Sequence, residues 1–318
     1  MTARVHRTAL LVGIFAILGL VACGHSSSTA DAQGARAAFP PAPPASATGG
    51  FDGERAYKQV EALTAIGPHS AGSEGIHRAQ AYIIAQLKSF GCPVDEEDFH
   101  VPSTPVGDVA MKNIVVKIPS SNPNIILYAS HYDTKRIPNF VGADDGGSST
   151  GVLLELARVL CARKNTQTIW LAFFDGEEAF NMQWADPDNT YGSRQMAATL
   201  ALSGELPRVK AMVLVDMVGP ANPVYKRESN STPWLTDIIW STAARLGYGN
   251  VFVNDRTTIE DDHLSFLSRG VPATDIIDLD VPYWHTTRDT IDKIDPRTLA
   301  ITGHVLLASL PEIEKKIQ

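Results

Sequence analysis

His131, Asp145, Glu178, Asp216 and His285 are side chains of the kinds that bind a transition metal through imidazole nitrogen or carboxylate oxygen. Their placement is more telling than their types. Residues 124–129, 168–174, 211–215 and 273–277 are apolar runs of strand length. The first runs into His131-Tyr132-Asp133 and the second into Asp175-Gly176-Glu177-Glu178. The third runs into Asp216, and the fourth leads through a loop to Trp284-His285. Asp145 lies in the turn Gly142-Ala143-Asp144-Asp145-Gly146-Gly147, whose glycines permit a tight reversal. Taken singly, each has an ordinary reading: a surface histidine, an Asp-Gly turn, a solvated acidic pair. Asp216 is harder to dismiss, because a carboxylate ending a buried strand costs several kcal/mol unless it is paired or metal-bound. Recurrence at four strand ends favours a catalytic zinc site with one coordination position left for substrate. Adjacent residues rarely ligate one ion, so Glu177-Glu178 reads as one general base and one ligand.

The elements that carry these residues alternate strand-like runs with helical patterns, which predicts an α/β domain. Its sheet is central, mixed and mostly parallel, with helices on both faces. Helices are expected over residues 55–63, 75–90, 149–160, 194–202, 233–246, 262–268 and 296–313, and a further strand over 113–118. In such sheets ligands bind beyond the carboxyl ends of the strands, where the candidate residues fall.

At 318 residues the chain has ample length for one large domain. Its net charge of −8 argues against a nucleic-acid partner. Residues 1–22 read as a signal segment: Arg4, His6 and Arg7 precede a short apolar run that closes at Leu20-Val21-Ala22-Cys23. That ending resembles a bacterial lipobox with Cys23 as the acylated residue, the alternative being a plain cleavable signal. The expectation is export to a bacterial cell envelope, on its periplasmic or surface side, with a lipid anchor in the membrane. Residues 23–50 are rich in Ala, Ser, Pro and Gly and read as a flexible linker, with the catalytic domain over 51–318. Cys92 and Cys161 could pair in an oxidising compartment; buried free thiols are the favoured expectation.

The motifs His131-Tyr132-Asp133, Gly142-Ala143-Asp144-Asp145, Glu177-Glu178, Val215-Asp216-Met217 and His285-Thr286 resemble, in order, those of the M28 zinc aminopeptidase superfamily. Glu178-Ala179-Phe180, Asp261-Asp262-His263 and Trp284-His285 bring the chain nearer to the glutaminyl cyclase branch. The likeness runs from about Tyr57 to the C-terminus. It implies a zinc-aminopeptidase-like fold that converts N-terminal glutamine of peptides or proteins to pyroglutamate, releasing ammonia. It further implies one zinc on Asp145, Glu178 and His285, with Glu177 as proton shuttle and Asp216 and Asp261 supporting it. Trp184 and Trp284 would wall the substrate pocket, though each could be an ordinary core aromatic. His131 and Asp133 would hold a second metal or support the first. Animal cyclases carry a disulfide near the zinc loop; the matching positions here are Ser130 and Thr150, so that bond is absent.

Two other readings remain. An aminopeptidase would use the same residues with two zincs bridged by Asp145. A non-catalytic peptide-binding surface lipoprotein would have no need of Glu177.

Overall fold

The structure is a computed structural model and describes residues 41–318. The signal segment, Cys23 and most of the expected linker therefore lie outside the described residues. Strands β1 (Val94–Thr104), β2 (Gly107–Ile118), β3 (Ile125–His131), β4 (Thr168–Phe174), β5 (Val209–Asp216) and β8 (Ala273–Ile277) form one sheet in the order β1-β2-β4-β3-β5-β8. β1 pairs antiparallel with β2, and β2 with β4; the pairs β3–β4, β3–β5 and β5–β8 are parallel. β6 (Tyr225–Glu228) and β7 (Phe252–Thr257) make a separate parallel pair. The helices are α1 (Gly53–Ile66), α2 (Glu74–Ser89), α3 (Gly147–Cys161), α4 (Tyr191–Ser203), α5 (Pro233–Arg245), α6 (His263–Leu267) and α7 (Pro296–Lys316).

Alternation along the central strands explains the layering. In β4, Ile169, Leu171 and Phe173 face a core shared with α1, α2, α3, α5 and α7. Trp170, Ala172 and Phe174 face the opposite core, shared with α4 and α6. With helices on both faces, β3 and β4 are buried at every position. This is why they read as unbroken apolar runs rather than alternating ones. Each fully buried Leu, Ile or Val side chain here contributes about 1.5–3 kcal/mol. Local signals set helix starts: the Asp52 carboxylate accepts from the amides of Glu54 and Arg55, and the Ser73 hydroxyl from that of Ile76.

Three expectations change. The linker expected to extend to Gly50 ends earlier, because residues Ala45–Ala47 form a 3-10 turn and Thr48 is fully buried. Arg158 Nη2 donates to the Gly50 carbonyl at 2.8 Å, fastening this stretch to α3. Cys92 and Cys161 are not free thiols but a disulfide, with Cα atoms 5.5 Å apart. The bond ties the turn after α2 to the last residue of α3. Strands β1, β6 and β7 have no counterpart among the strands expected from sequence.

Candidate metal centre

β3, β4, β5 and β8 run parallel, so their carboxyl ends open on one edge of the sheet. β3 ends at His131 and β5 at Asp216, while the loop after β4 carries Glu177 and Glu178. Asp145 arrives from the turn that starts α3. Its backbone is held by Asp289, whose carboxylate accepts from the amides of Asp144 at 2.8 Å and Asp145 at 3.1 Å. Gly146 closes this turn at φ 84°, and a Cβ there would lie 2.8 Å from the Asp133 carbonyl and 3.2 Å from the His131 ring. Only glycine permits both that φ and that approach. His285 also has a left-handed backbone, at φ 50°, and its ring stacks on Trp284 with centroids 4.2 Å apart.

Five of the expected residues form two groups sharing Asp145, each with ligand atoms within 4.8 Å of one another. In the first, His131 Nε2 lies 3.1 Å from Asp216 Oδ1 and 3.4 Å from Asp145 Oδ1. In the second, His285 Nε2 lies 3.2 Å from Glu178 Oε1 and 3.3 Å from Asp145 Oδ2. Asp133 belongs to neither group. Its Oδ1 accepts from the amide of Glu177 at 3.0 Å and its Oδ2 from that of Glu178 at 3.3 Å. Of the two roles expected of it, holding a second metal or supporting the first, this geometry fits support of the segment that carries Glu177 and Glu178.

The second group fits a cation. The buried oxygens Asp145 Oδ2 and Glu178 Oε2 make no hydrogen bond; each faces one cationic nitrogen, His285 Nε2 at 3.3 Å and Lys135 Nζ at 3.4 Å, and keeps lone-pair capacity for a cation. One imidazole nitrogen and two carboxylates make a donor set suited to zinc with a position to spare. In the first group Asp216 Oδ1 already accepts from His131 and from the Met217 amide at 2.8 Å.

Charge and burial together set the protonation of these groups. Burial raises the pKa of Glu177 well above the carboxylate range; the positive charge of His131 opposes this and Glu178 adds to it. Burial and Asp145 raise that of Glu178. For His285, burial disfavours the imidazolium, but Asp145 and Glu178 outweigh it and push the pKa up to about 9. Burial likewise works against Asp145, yet His131 and His285 hold its carboxyl below the usual range. Asp261 is raised by burial and by Asp275.

Asp145, Glu177, Glu178, Asp216, Asp261, Trp184, Trp284 and His285 all line one cavity of about 280 Å³. Sequence reasoning missed several residues there. Lys135, fully buried, donates from Nζ to the Ala179 carbonyl at 2.8 Å and lies 3.4 Å from Glu178 Oε2. A lone lysine in a loop gives no sign of this. Met182, Ile259 and Leu279 complete the apolar wall, and they come from loops with no patterning to reveal it.

Residues 113–310 match the family model for peptidase family M28. Over 260 residues the chain is 30% identical to a glutaminyl-peptide cyclotransferase of Drosophila melanogaster, covering 73% of each protein. It is similar to the crystal structure of an Acidobacteriales bacterium glutaminyl cyclase at 37% identity and a TM-score of 0.79. That match covers 90% of this chain and all of the other. A Zn-dependent exopeptidase from Parabacteroides distasonis is similar at 28% identity and a TM-score of 0.75, covering 82% of this chain and 98% of that one. With its sheet, its strand-end histidines and carboxylates and these matches in agreement, the chain belongs to peptidase family M28, in the branch that contains the glutaminyl-peptide cyclotransferases.

Proposed function

We propose that this protein is a zinc-dependent glutaminyl-peptide cyclotransferase, closing N-terminal glutamine to pyroglutamate with release of ammonia. The observation that carries the mechanism is Glu177, a buried carboxyl beside the ligand group Asp145, Glu178 and His285 in a cavity with aromatic walls. Asp145, Glu178 and His285 would hold a zinc ion, which would supply Lewis-acid polarisation of the γ-carboxamide. Glu177 takes a proton from the α-amine as its nitrogen bonds to the γ-carbonyl carbon. It then returns a proton to the departing amide nitrogen as the C–N bond breaks, so the base is regenerated and ammonia leaves. Asp216 and Asp261 carry further carboxyls on the cavity floor, placed to accept hydrogen bonds from the same nitrogens. Trp184 and Trp284 confine the glutamine side chain so that the two reacting groups of one substrate meet.

One zinc per site is favoured because, of the five candidate ligand residues, Asp145 and Glu178 are those with a buried oxygen that makes no hydrogen bond. A two-zinc aminopeptidase is the second reading. It is favoured by the retained group of His131, Asp145 and Asp216 and by the likeness to a Zn-dependent exopeptidase. The apolar stretch closing at Cys23 supports export and lipid anchoring at a bacterial envelope. The deciding experiment gives the purified, zinc-loaded chain one Gln-initiated and one Leu-initiated peptide and reads products by mass spectrometry. Loss of ammonia from the Gln peptide alone is the expected outcome. Release of a first residue from either peptide would replace the cyclase with the aminopeptidase.

A further inference from the structure

The loop that carries His285 is gripped on both sides of that residue by the turn that carries Asp145. Two residues before it, the Tyr283 hydroxyl donates to Asp144 Oδ2 at 2.9 Å. Four residues after it, the Asp289 carboxylate holds the amides of Asp144 and Asp145. Tyr283, Asp144 and Asp289 are all buried. Between these two grips the loop folds back on itself, the Thr286 amide and hydroxyl donating to the Tyr283 carbonyl at 3.0 and 2.8 Å. His285 there holds φ 50°, a left-handed backbone that few residues with a side chain adopt. A third segment is tied in through the same carboxylate. Asp144 Oδ1 accepts from the Gly219 amide at 2.9 Å, three residues beyond Asp216. A Cβ at Gly219 would stand 3.0 Å from that oxygen and 2.7 Å from the Ser148 Cβ, so only glycine lets the backbone come so close.

Asp144 belongs to neither ligand group, and its two carboxylate oxygens are taken up by Tyr283 and Gly219. It is therefore a tie between segments and not a ligand. Glu178 is held separately, through its amide, by Asp133. We propose that Tyr283, through its hydrogen bond to Asp144, is a positioning residue that holds His285 against Asp145 and thereby sets the zinc affinity of the site. A ligand loop fixed before the ion arrives loses little freedom when it binds, whereas a loose one must be ordered at that moment. Groups that orient ligands in this way contribute about 10- to 100-fold in metal affinity. This role depends on the zinc reading of the site but not on which reaction follows.

Zinc binding to the metal-free full chain is measured by competition with a chromophoric chelator, independently of turnover. Tyr283→Phe removes only the hydroxyl and should weaken zinc binding by about 10-fold. Asp144→Ala should weaken it at least as much. Adding Tyr283→Phe to Asp144→Ala should then cost nothing further, because the tie is already gone. Asp144→Asn keeps an acceptor for the Gly219 amide and turns an NH₂ to the Tyr283 hydroxyl, which can accept it, so its affinity should stay near that of the parent. Unchanged zinc affinity in Tyr283→Phe, beside a lowered melting temperature of the metal-free protein, assigns the hydroxyl to stability alone and overturns the positioning role. Additive losses in the double variant also overturn it. Where Tyr283→Phe does not fold, the Asp144 pair decides: an Asn variant that falls as far as the Ala variant overturns the role, and one that keeps the parent affinity upholds it. A parent chain that does not bind zinc overturns the zinc reading as well, whereas zinc-binding parent and Tyr283→Phe of equal affinity overturn the positioning role alone.

Discussion

Asp133 and Glu177 show how far residue type alone can mislead or inform. Asp133, next but one to His131, offers a carboxylate that could have held a metal, yet both its oxygens accept amides from the segment carrying Glu177 and Glu178. Replacing it by Asn leaves one acceptor and turns an NH₂ towards the other amide. Asp133→Asn should therefore lower zinc affinity or turnover by about 10- to 100-fold, the usual cost of disturbing the groups that orient a ligand. Competition with a chelator and steady-state kinetics would measure the two separately. As the proposed base Glu177 would act only when ionised, and in the metal-free protein burial holds its pKa above the ordinary range. Activity should accordingly fall, as pH is lowered, at a point above the roughly pH 4 of an unperturbed carboxyl. Glu177→Gln should cost about 10²- to 10⁴-fold in turnover with zinc content unchanged. Near-normal turnover in that variant would assign the proton transfer to another group.

Elements differed sharply in how legible they were. β4 and β8 lie over the expected residues 168–174 and 273–277, because strands buried on both faces carry their own signal. β1 opens with Val94 followed by four acidic residues, which no apolar pattern marks as a strand. Its acids become intelligible only against β2, where Lys112 pairs with Glu96 and Lys117 with Asp95 and Glu97. Such exposed pairs are worth about 0.2–1 kcal/mol each, so β1 depends mainly on its ladder with β2. The Cys92–Cys161 bond was equally hidden, since spacing cannot place two thiols within bonding distance. It spans 69 residues, for which loop closure predicts about 4 kcal/mol of stabilisation. Reduction should lower the melting temperature markedly while activity persists at 25 °C, because the bond joins α2 and α3 away from the cavity lining. Loss of activity in step with thiol release, below the melting range, would link the bond to the site.

At the scale of the whole molecule, the carboxyl edge of the sheet collects more acid than protein donors alone can satisfy. Burial raises Glu177, Glu178 and Asp261, and with neighbouring carboxylates it pushes Asp144 and Asp262 up to about 7 and Asp175 and Asp289 up to about 8. Between the unfolded range near pH 4 and these values the folded chain holds more protons than the unfolded one. Over that interval these groups make metal-free stability decline as pH rises towards 8. The chelated protein should melt at a lower temperature at pH 8 than at pH 5. Added zinc should raise the midpoint more at pH 8, where fewer protons must leave its ligands than at pH 5. Calorimetry with and without chelator would read this, and a chelated protein more stable at pH 8 would contradict it.

Apolar runs bounded by polar residues were enough, in the sequence, to set the central strands and therefore which side chains stand at their carboxyl ends. The motif order across them identified the family. These are local properties: strand burial and turn chemistry act over a few neighbouring residues. The tertiary structure decided that Asp133 braces amides, that Lys135 meets Glu178, that Cys92 meets Cys161, and that Met182 faces the same cavity as Trp284. Each brings together segments distant along the chain. Such contacts follow from strand order and loop path, and no spacing within a single segment encodes them.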